Sequence, residues 1–389
     1  MMDISSIRKR ARTSGIISRV RDALGRSEFE AVIATTPENS YYLSGRWYPI
    51  GRNRPNRPNV VVWPSRGDPV LVIPVDQLAG FTRDSWIESV QAYDERGKHP
   101  VGAIVSEVVE VVRRLDLGSA RLGIEYSFMP VEFYDLLAKS LPDATLVPCD
   151  KLFHELRMAK TDDELRIIRG AAVACERGLW EALQAAKVGW SERQLAQEIT
   201  TQIVGRGVDA VTTILLGSGE GSLGYLTPTD HPMTVGEMVR IDINVMRDGY
   251  YADIGRMAFV GSAQGKYRRA YQLQRQLTCA TASVMKPGIR TSEIFAYCEA
   301  RAAELELRLV VQPYIGIGHG IGINNSEHPK LSRDDNTLLV PGMVLNIEPD
   351  AFGPLEEVMH FEEMILIGRG GSEVLTAGDE WDELPEIQG

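Results

Sequence analysis

From Met238 to Phe259 the chain reads MVRIDINVMRDGYYADIGRMAF. Val239, Ile241, Ile243 and Val245 alternate with Arg240, Asp242, Asn244 and Met246, a period of two that predicts a β-strand with one apolar and one mostly polar face. Asp248-Gly249 supplies hairpin chemistry before a second strand. If those two residues are the whole turn, Asn244 lies opposite Asp253, and Asp242 sits on the same face within diagonal reach. Taken alone, two aspartates on a hairpin read as a solvated face. The rest of the chain changes that reading.

Before this hairpin, Ile17 to Leu24 has helical spacing and FEAVIAT (29–35) reads as a buried strand. NSYYLSG (39–45) follows as a loop or short helix. Val60 to Trp63 and Val70 to Ile73 are short apolar strands joined by turn-forming residues, Val101 to Leu115 is helical in period, and Arg121 to Glu125 is another strand. This alternation predicts an α/β domain over residues 1–156. Between Gly45 and Asn59, Arg46, Arg52, Arg54 and Arg57 are interspersed with three prolines, which excludes a central strand. Their charges have no intrachain partner that the sequence reveals, so the loop is either solvated or a carboxylate-binding element.

Thr161-Asp162-Asp163-Glu164 is a capping box opening a helix to Ala186, and Ser191 caps the next. From Val211 onward the chain changes to strands and glycine-rich turns, interrupted by helices over Lys266 to Met285 and Thr291 to Leu305, so that residues 157–389 mix both kinds of element. A second domain of α+β type is expected there, because 389 residues exceed what one core usually organises.

Composition adds limits. The chain is 44% hydrophobic and 24% charged, ordinary for a globular protein, and its net charge of -11 argues against a nucleic-acid-binding surface. The amino terminus lacks the apolar core of a signal peptide, and no run reaches about 18 apolar residues, so a cytoplasmic protein with no membrane partner is expected. Cys149, Cys175, Cys279 and Cys298 are far apart, which predicts neither a disulfide framework nor a thiolate metal site.

Three further segments carry chemistry. GIGHGIG (316–322) surrounds His319 with glycines that permit close backbone approach. VLNIEP (344–349) is a strand ending in Glu348, and MHFEEMILI (359–367) a strand carrying Glu362 and Glu363. Each is weak alone. The ordered set Asp, Asp, His, Glu, Glu, with its first pair eleven residues apart, resembles the pita-bread metalloenzyme family that includes prolidase, aminopeptidase P, methionine aminopeptidase and creatinase. The likeness runs from NSYYLSG through RMAKTDDE to the last strand.

The resemblance implies a creatinase-like α/β amino-terminal domain, a pita-bread catalytic domain, and two divalent ions held by Asp242, Asp253, His319, Glu348 and Glu362. Glu362 is chosen over Glu363 because it falls where the family's Arg-x-Glu-Asp strand has its ligand and because alternation turns Glu363 away. Gathered carboxylates would shift toward protonation unless cations balanced them. Oxygen ligands with one imidazole suit manganese, iron, cobalt or zinc, and such ions activate water and polarise a substrate oxygen.

The accessory residues of the proline-specific peptidases are replaced. Their histidines fall at Tyr225, Ile315 and Ser326, and their arginine two before the last glutamate is His360. Tyr225 and Ser326 can still donate hydrogen bonds to an oxyanion, with Glu348 and His360 as further catalytic candidates. Tyr314, His328 and Arg52 are candidates for substrate contact, Arg52 because creatinase carries a Phe-Gly-Arg segment where this chain has Ile50-Gly51-Arg52. Asn244 is either an extra oxygen ligand or a hydrogen-bond donor behind one. The first expectation is a homodimeric metallohydrolase cutting an amide or related C-N bond in a dipeptide or other small carboxylate-bearing substrate. The rivals are a non-peptidase enzyme, creatinase-like or resembling dimethylsulfoniopropionate lyase, and an inactive interaction module on the same fold.

Overall fold

The computed structural model describes residues 4–48, 51, 52, 54, 56–219, 227–352, 358–376 and 378–389. The chain divides into two compact units, Met1–Arg157 and Met158–Gly389.

In the first unit the elements run α1 (Ile4–Arg26), β1 (Ala31–Ala34), α2 (Pro37–Ser44), β2 (Val60–Pro64), β3 (Val70–Pro74), α3 (Leu78–Asp84), β4 (Ser89–Tyr93), α4 (Pro100–Arg114), β5 (Arg121–Ile124), α5 (Val131–Ser140), β6 (Thr145–Pro148) and α6 (Asp150–Met158). Six strands form one mixed sheet in the order β4-β3-β2-β1-β5-β6. β1 is central and buried along its whole length, hence its uniformly apolar AVIA. α4 lays Ile104, Val105, Val108, Val111 and Val112 against the sheet at helical spacing. NSYYLSG belongs to α2, whose first turn is held by Thr36 Oγ1 accepting from the Asn39 amide at 3.1 Å.

The arginine-rich loop differs from expectation, because Arg46, Arg52 and Arg57 do have partners within the chain. Arg52 Nε pairs with Glu38 at 2.6 Å, and Arg57 pairs with Glu95 at 2.6 Å. Arg46 Nη1 donates to the Gly80 carbonyl at 2.5 Å. Those partners lie 14 to 38 residues away in sequence, out of reach of a local reading.

The second unit opens with α7 (Asp162–Ala185) and α8 (Glu192–Val204), both started by full capping boxes, Thr161 with Glu164 and Ser191 with Gln194. Then come β7 (Ala210–Ser218), β8 (Met238–Arg247), β9 (Tyr250–Val260), α9 (Gly265–Val284), α10 (Thr291–Glu304), β10 (Arg308–Leu309), β11 (Gly318–Gly320), β12 (Glu327–Lys330), β13 (Val344–Ile347), β14 (Ala351–Phe352), β15 (Val358–Met359), β16 (Glu363–Ile367), β17 (Ser372–Val374) and β18 (Glu386–Ile387). They form sheets ordered β18-β9-β8-β7, β12-β11-β13-β16-β17 and β10-β14-β15. α9 and α10 cover the second sheet, packing Leu277, Ile294 and Phe295 against Ile347, Ile365 and Ile367.

Asp248 and Gly249 both have positive φ, 48° and 77°, so they form a two-residue turn that sets Asn244 opposite Asp253 and Asp242 opposite Gly255. The polar face of β8 is not solvated, however: Met238 to Met246 are all buried. One departure from expectation is the strand over 359–367, which divides at His360, Phe361 and Glu362. β15 joins one sheet and β16 another. Between them the Glu362 amide donates to the Gly255 carbonyl at 3.0 Å, while Arg256, completely buried, donates to the Gly255 and Glu362 carbonyls. The crossing segment is thereby tied to β9.

The α7 capping box anchors the start of this unit, so Thr161→Ala should cost about 1 kcal/mol of stability and Thr161→Ser only a fraction of that. Denaturant unfolding of the two variants measures the difference.

Candidate metal centre

Five elements converge on one buried pocket. β8 contributes Asp242 and Asn244, β9 Asp253, β11 His319, the end of β13 Glu348, and the segment ahead of β16 Glu362. All six are between 1% and 7% exposed. One ligand atom each from Asp253, His319 and Glu362 lie within 4.8 Å of one another. His319 Nε2 is 3.2 Å from Glu348 Oε1, and Asn244 Nδ2 donates to Asp253 Oδ1 at 2.9 Å.

Local geometry explains how so many acids fit. A Cβ at Gly318 would come 2.2 Å from the Asn346 carbonyl, so only glycine lets β11 approach β13 closely enough to place His319 in the cluster. The His319 ring is set by Nδ1, which lies 2.9 Å from the Gly320 carbonyl and so carries the hydrogen. Nε2 then presents a lone pair to the pocket. Asn346 donates through Nδ2 to Glu362 Oε1 and fixes that carboxylate. Glu363 turns the opposite way, onto Arg256 at 3.1 Å and the Thr376 hydroxyl.

The neighbouring acids are neutralised and the pocket acids are not. Asp350 pairs with Arg240 at 3.2 Å, Glu363 and Glu176 with Arg256 at 3.1 and 3.6 Å, and Glu327 with Lys160 at 3.5 Å. Among the described residues, Asp242, Asp253, Glu348 and Glu362 make no ion pair with lysine or arginine. Burial pushes the Asp242 carboxyl up to about 6, with the charge of Glu348 adding to it. Burial and the surrounding carboxylates push Asp253 and Glu362 well above the ordinary range. Asp350 goes the other way: burial opposes its ionisation, but His360 and Arg240 outweigh it and hold its carboxyl low. Carboxylate oxygens, one imidazole lone pair and an unsatisfied buried Asn244 Oδ1 form a hard, oxygen-rich donor set that fits divalent cations.

The chain also matches known families. The profile of metallopeptidase family M24 covers residues 166–369, and the creatinase/prolidase amino-terminal domain covers residues 16–159. The chain belongs to metallopeptidase family M24. It is 28% identical to an Xaa-Pro dipeptidase of Pyrococcus horikoshii over 67% of this chain and 74% of that one. It is 27% identical to the uncharacterized peptidase YqhT of Bacillus subtilis over 92% of this chain and 97% of that one. In fold it is similar to an Xaa-Pro dipeptidase structure from Bacillus anthracis, with TM-score 0.83 and 22% identity over 96% of this chain and 100% of that one. The chain is thus an M24 metallohydrolase with a creatinase-type amino-terminal domain and a pita-bread carboxy-terminal domain.

The remaining site candidates are dispersed. Tyr225 lies outside the described residues. Ser326 accepts from Lys330 Nζ at 2.6 Å, and the same ammonium lies 4.5 Å from the ring centre of Tyr314, which is itself exposed. His328 is exposed, whereas His360 is completely buried beside Glu362. Arg52 sits within the amino-terminal unit, paired to Glu38. Sequence reasoning missed Lys330. It faces His319 across the β11–β12 ladder, and burial pulls its ammonium down to about 8 against the raising effect of Glu327, Glu348 and Asp335. Its signal was slight, a lysine two residues after His328 in a strand too short to show alternation.

Metal and protons compete for this pocket. Folded Asp242 keeps its proton up to about 6, whereas an ordinary aspartate loses it near 3.8, so between those values the folded state binds more protons and stability falls as pH rises. Metal-free protein should therefore melt several degrees higher at pH 5 than at pH 7. Added manganese should raise the midpoint at pH 7 and much less at pH 5, as scanning calorimetry can show.

Proposed function

We propose that this M24 enzyme hydrolyses a C-N bond in a small carboxylate-bearing substrate, with Xaa-Pro dipeptides as the leading class. Two divalent ions, manganese, cobalt, zinc or iron, would be held by Asp242, Asp253, His319, Glu348 and Glu362. The observation that carries the reading is the selective pairing in and around the pocket: nearby acids have basic partners, whereas these four acids are left for a cation. Such ions, when bound, lower the pKa of water and polarise a carbonyl oxygen.

The chain's own residues supply the rest. Glu348 is suited to take the proton of the attacking water and return it to the leaving nitrogen, since Oε1 faces His319 at 3.2 Å and Oε2 is steadied by Gln312 Nε2 at 3.3 Å. Lys330 and Ser326 stand in for the accessory histidine whose place Ser326 occupies. The ammonium, joined to the Ser326 hydroxyl at 2.6 Å, offers a charged donor to a substrate carboxylate or developing oxyanion. The names of the relatives support a dipeptide; the replaced histidines favour a narrower or different amide.

A panel of Xaa-Pro dipeptides and their carboxamides, assayed with manganese, cobalt and zinc, tests this. Hydrolysis of the free acids is expected. No turnover with any metal would remove the dipeptidase reading, and an unsaturated product formed without uptake of water would replace hydrolysis by elimination. Lys330→Met should raise KM for the free acid roughly 10- to 100-fold, the worth of one charged hydrogen bond, and leave the carboxamide little changed.

A further inference from the structure

His360 has no exposed surface and is held from one side only. Its Nδ1 lies 2.7 Å from Asp350 Oδ1, and the other oxygen of that carboxylate takes Arg240 Nη2 at 3.2 Å. Arg240 and Asp350 are each 3% exposed. An arginine-paired carboxylate can only accept, so Nδ1 carries the imidazole hydrogen and Nε2 carries a lone pair. Arg240 Nη2 also stands 3.3 Å from Nδ1, but two donors face each other there, and the guanidinium's partner is the carboxylate.

Nε2 points into the carboxylate pocket and has no hydrogen-bond partner among the described residues. It lies 3.9 Å from Glu362 Oε2. It also fills the space over Gly255, where an added Cβ would come within 1.9 Å of it. Gly255 is the ladder partner of Asp242, and strand alternation puts its open face on the same side as Asp253. Leaving a buried ring nitrogen unsatisfied is costly. A histidine whose far nitrogen is tied to a carboxylate, with its near nitrogen bare, has the arrangement of a metal ligand, and His319 in this pocket has the same form with a carbonyl as its anchor. A ring with no exposed surface meets what lies inside the pocket, which is the place of an ion and not of a substrate.

We propose that His360 Nε2 is a sixth protein ligand, a second imidazole for the metal centre beside Glu362, with Asp350 and Arg240 fixing its tautomer and angle. Gly255 is the complementary residue, since any side chain there would displace the ring. The proposal rests on the metal-centre reading above and extends it from one imidazole to two.

Cobalt-loaded protein tests the proposal through its proton NMR spectrum in water, where each coordinated imidazole gives one far-shifted exchangeable N–H signal. Metal content is read in parallel by elemental analysis. Two such signals are expected in the unaltered protein. One should vanish in His360→Gln, and the same one in Gly255→Ala, with the affinity for one ion falling roughly 10- to 100-fold. A single signal in the unaltered protein, retained in His360→Gln, would overturn the proposal and leave the metal centre standing. No bound cobalt in a folded protein would overturn both, and elemental analysis separates the two failures. The count in the unaltered protein decides even if neither variant folds.

Discussion

Four carboxylates packed into one buried pocket cannot all stay ionised without positive charge beside them, and the second unit is built around that constraint. Asp242, Asp253, Glu348 and Glu362 are each at most 7% exposed, and burial together with neighbouring carboxylate charge works against ionisation of Asp242, Asp253 and Glu362. The chain does not lack cations nearby. Arg240, Arg256 and Lys160 are all buried around the pocket, yet they are committed to Asp350, Glu363 and Glu327. Basic residues that could have quenched the cluster instead hold the frame that shapes it, as in a site kept for ions from solution.

The same frame explains why each of these side chains comes from a different stretch of backbone. His319 and Glu362 reach the pocket through closely apposed backbones, which the glycines of β11 and the break ahead of β16 permit. Arg256 does most of the joining at that break. It lies between the rings of Phe361 and Trp381, 4.4 and 5.0 Å from their centres, while donating to carbonyls on both sides of the crossing. Glu362 therefore faces inward and Glu363 outward for a structural reason, although the two are adjacent in sequence.

How much of this the sequence carried depends on distance along the chain. The β8–β9 register followed from Asp248-Gly249 alone, because a two-residue turn leaves no choice, and it placed Asn244 beside Asp253 correctly. The capping boxes at Thr161 and Ser191 were equally local. The partners of the arginine-rich loop were not, nor was the break in the strand expected over 359–367, which comes from hydrogen bonds to Arg256 more than a hundred residues earlier. Arg240, Asp350 and His360 meet across separations of 110 and 120 residues, and no periodicity announces such a meeting. Lys330 was overlooked because a strand of four residues cannot display which of its side chains point inward.

The most direct test of the account is anomalous diffraction from crystals soaked in manganese. Strong anomalous density is expected inside the pocket, in contact with the Asp253 and Glu362 carboxylates and with His319 Nε2. A soak at saturating manganese that left only hydrogen-bonded water among those groups, with no anomalous signal, would contradict it.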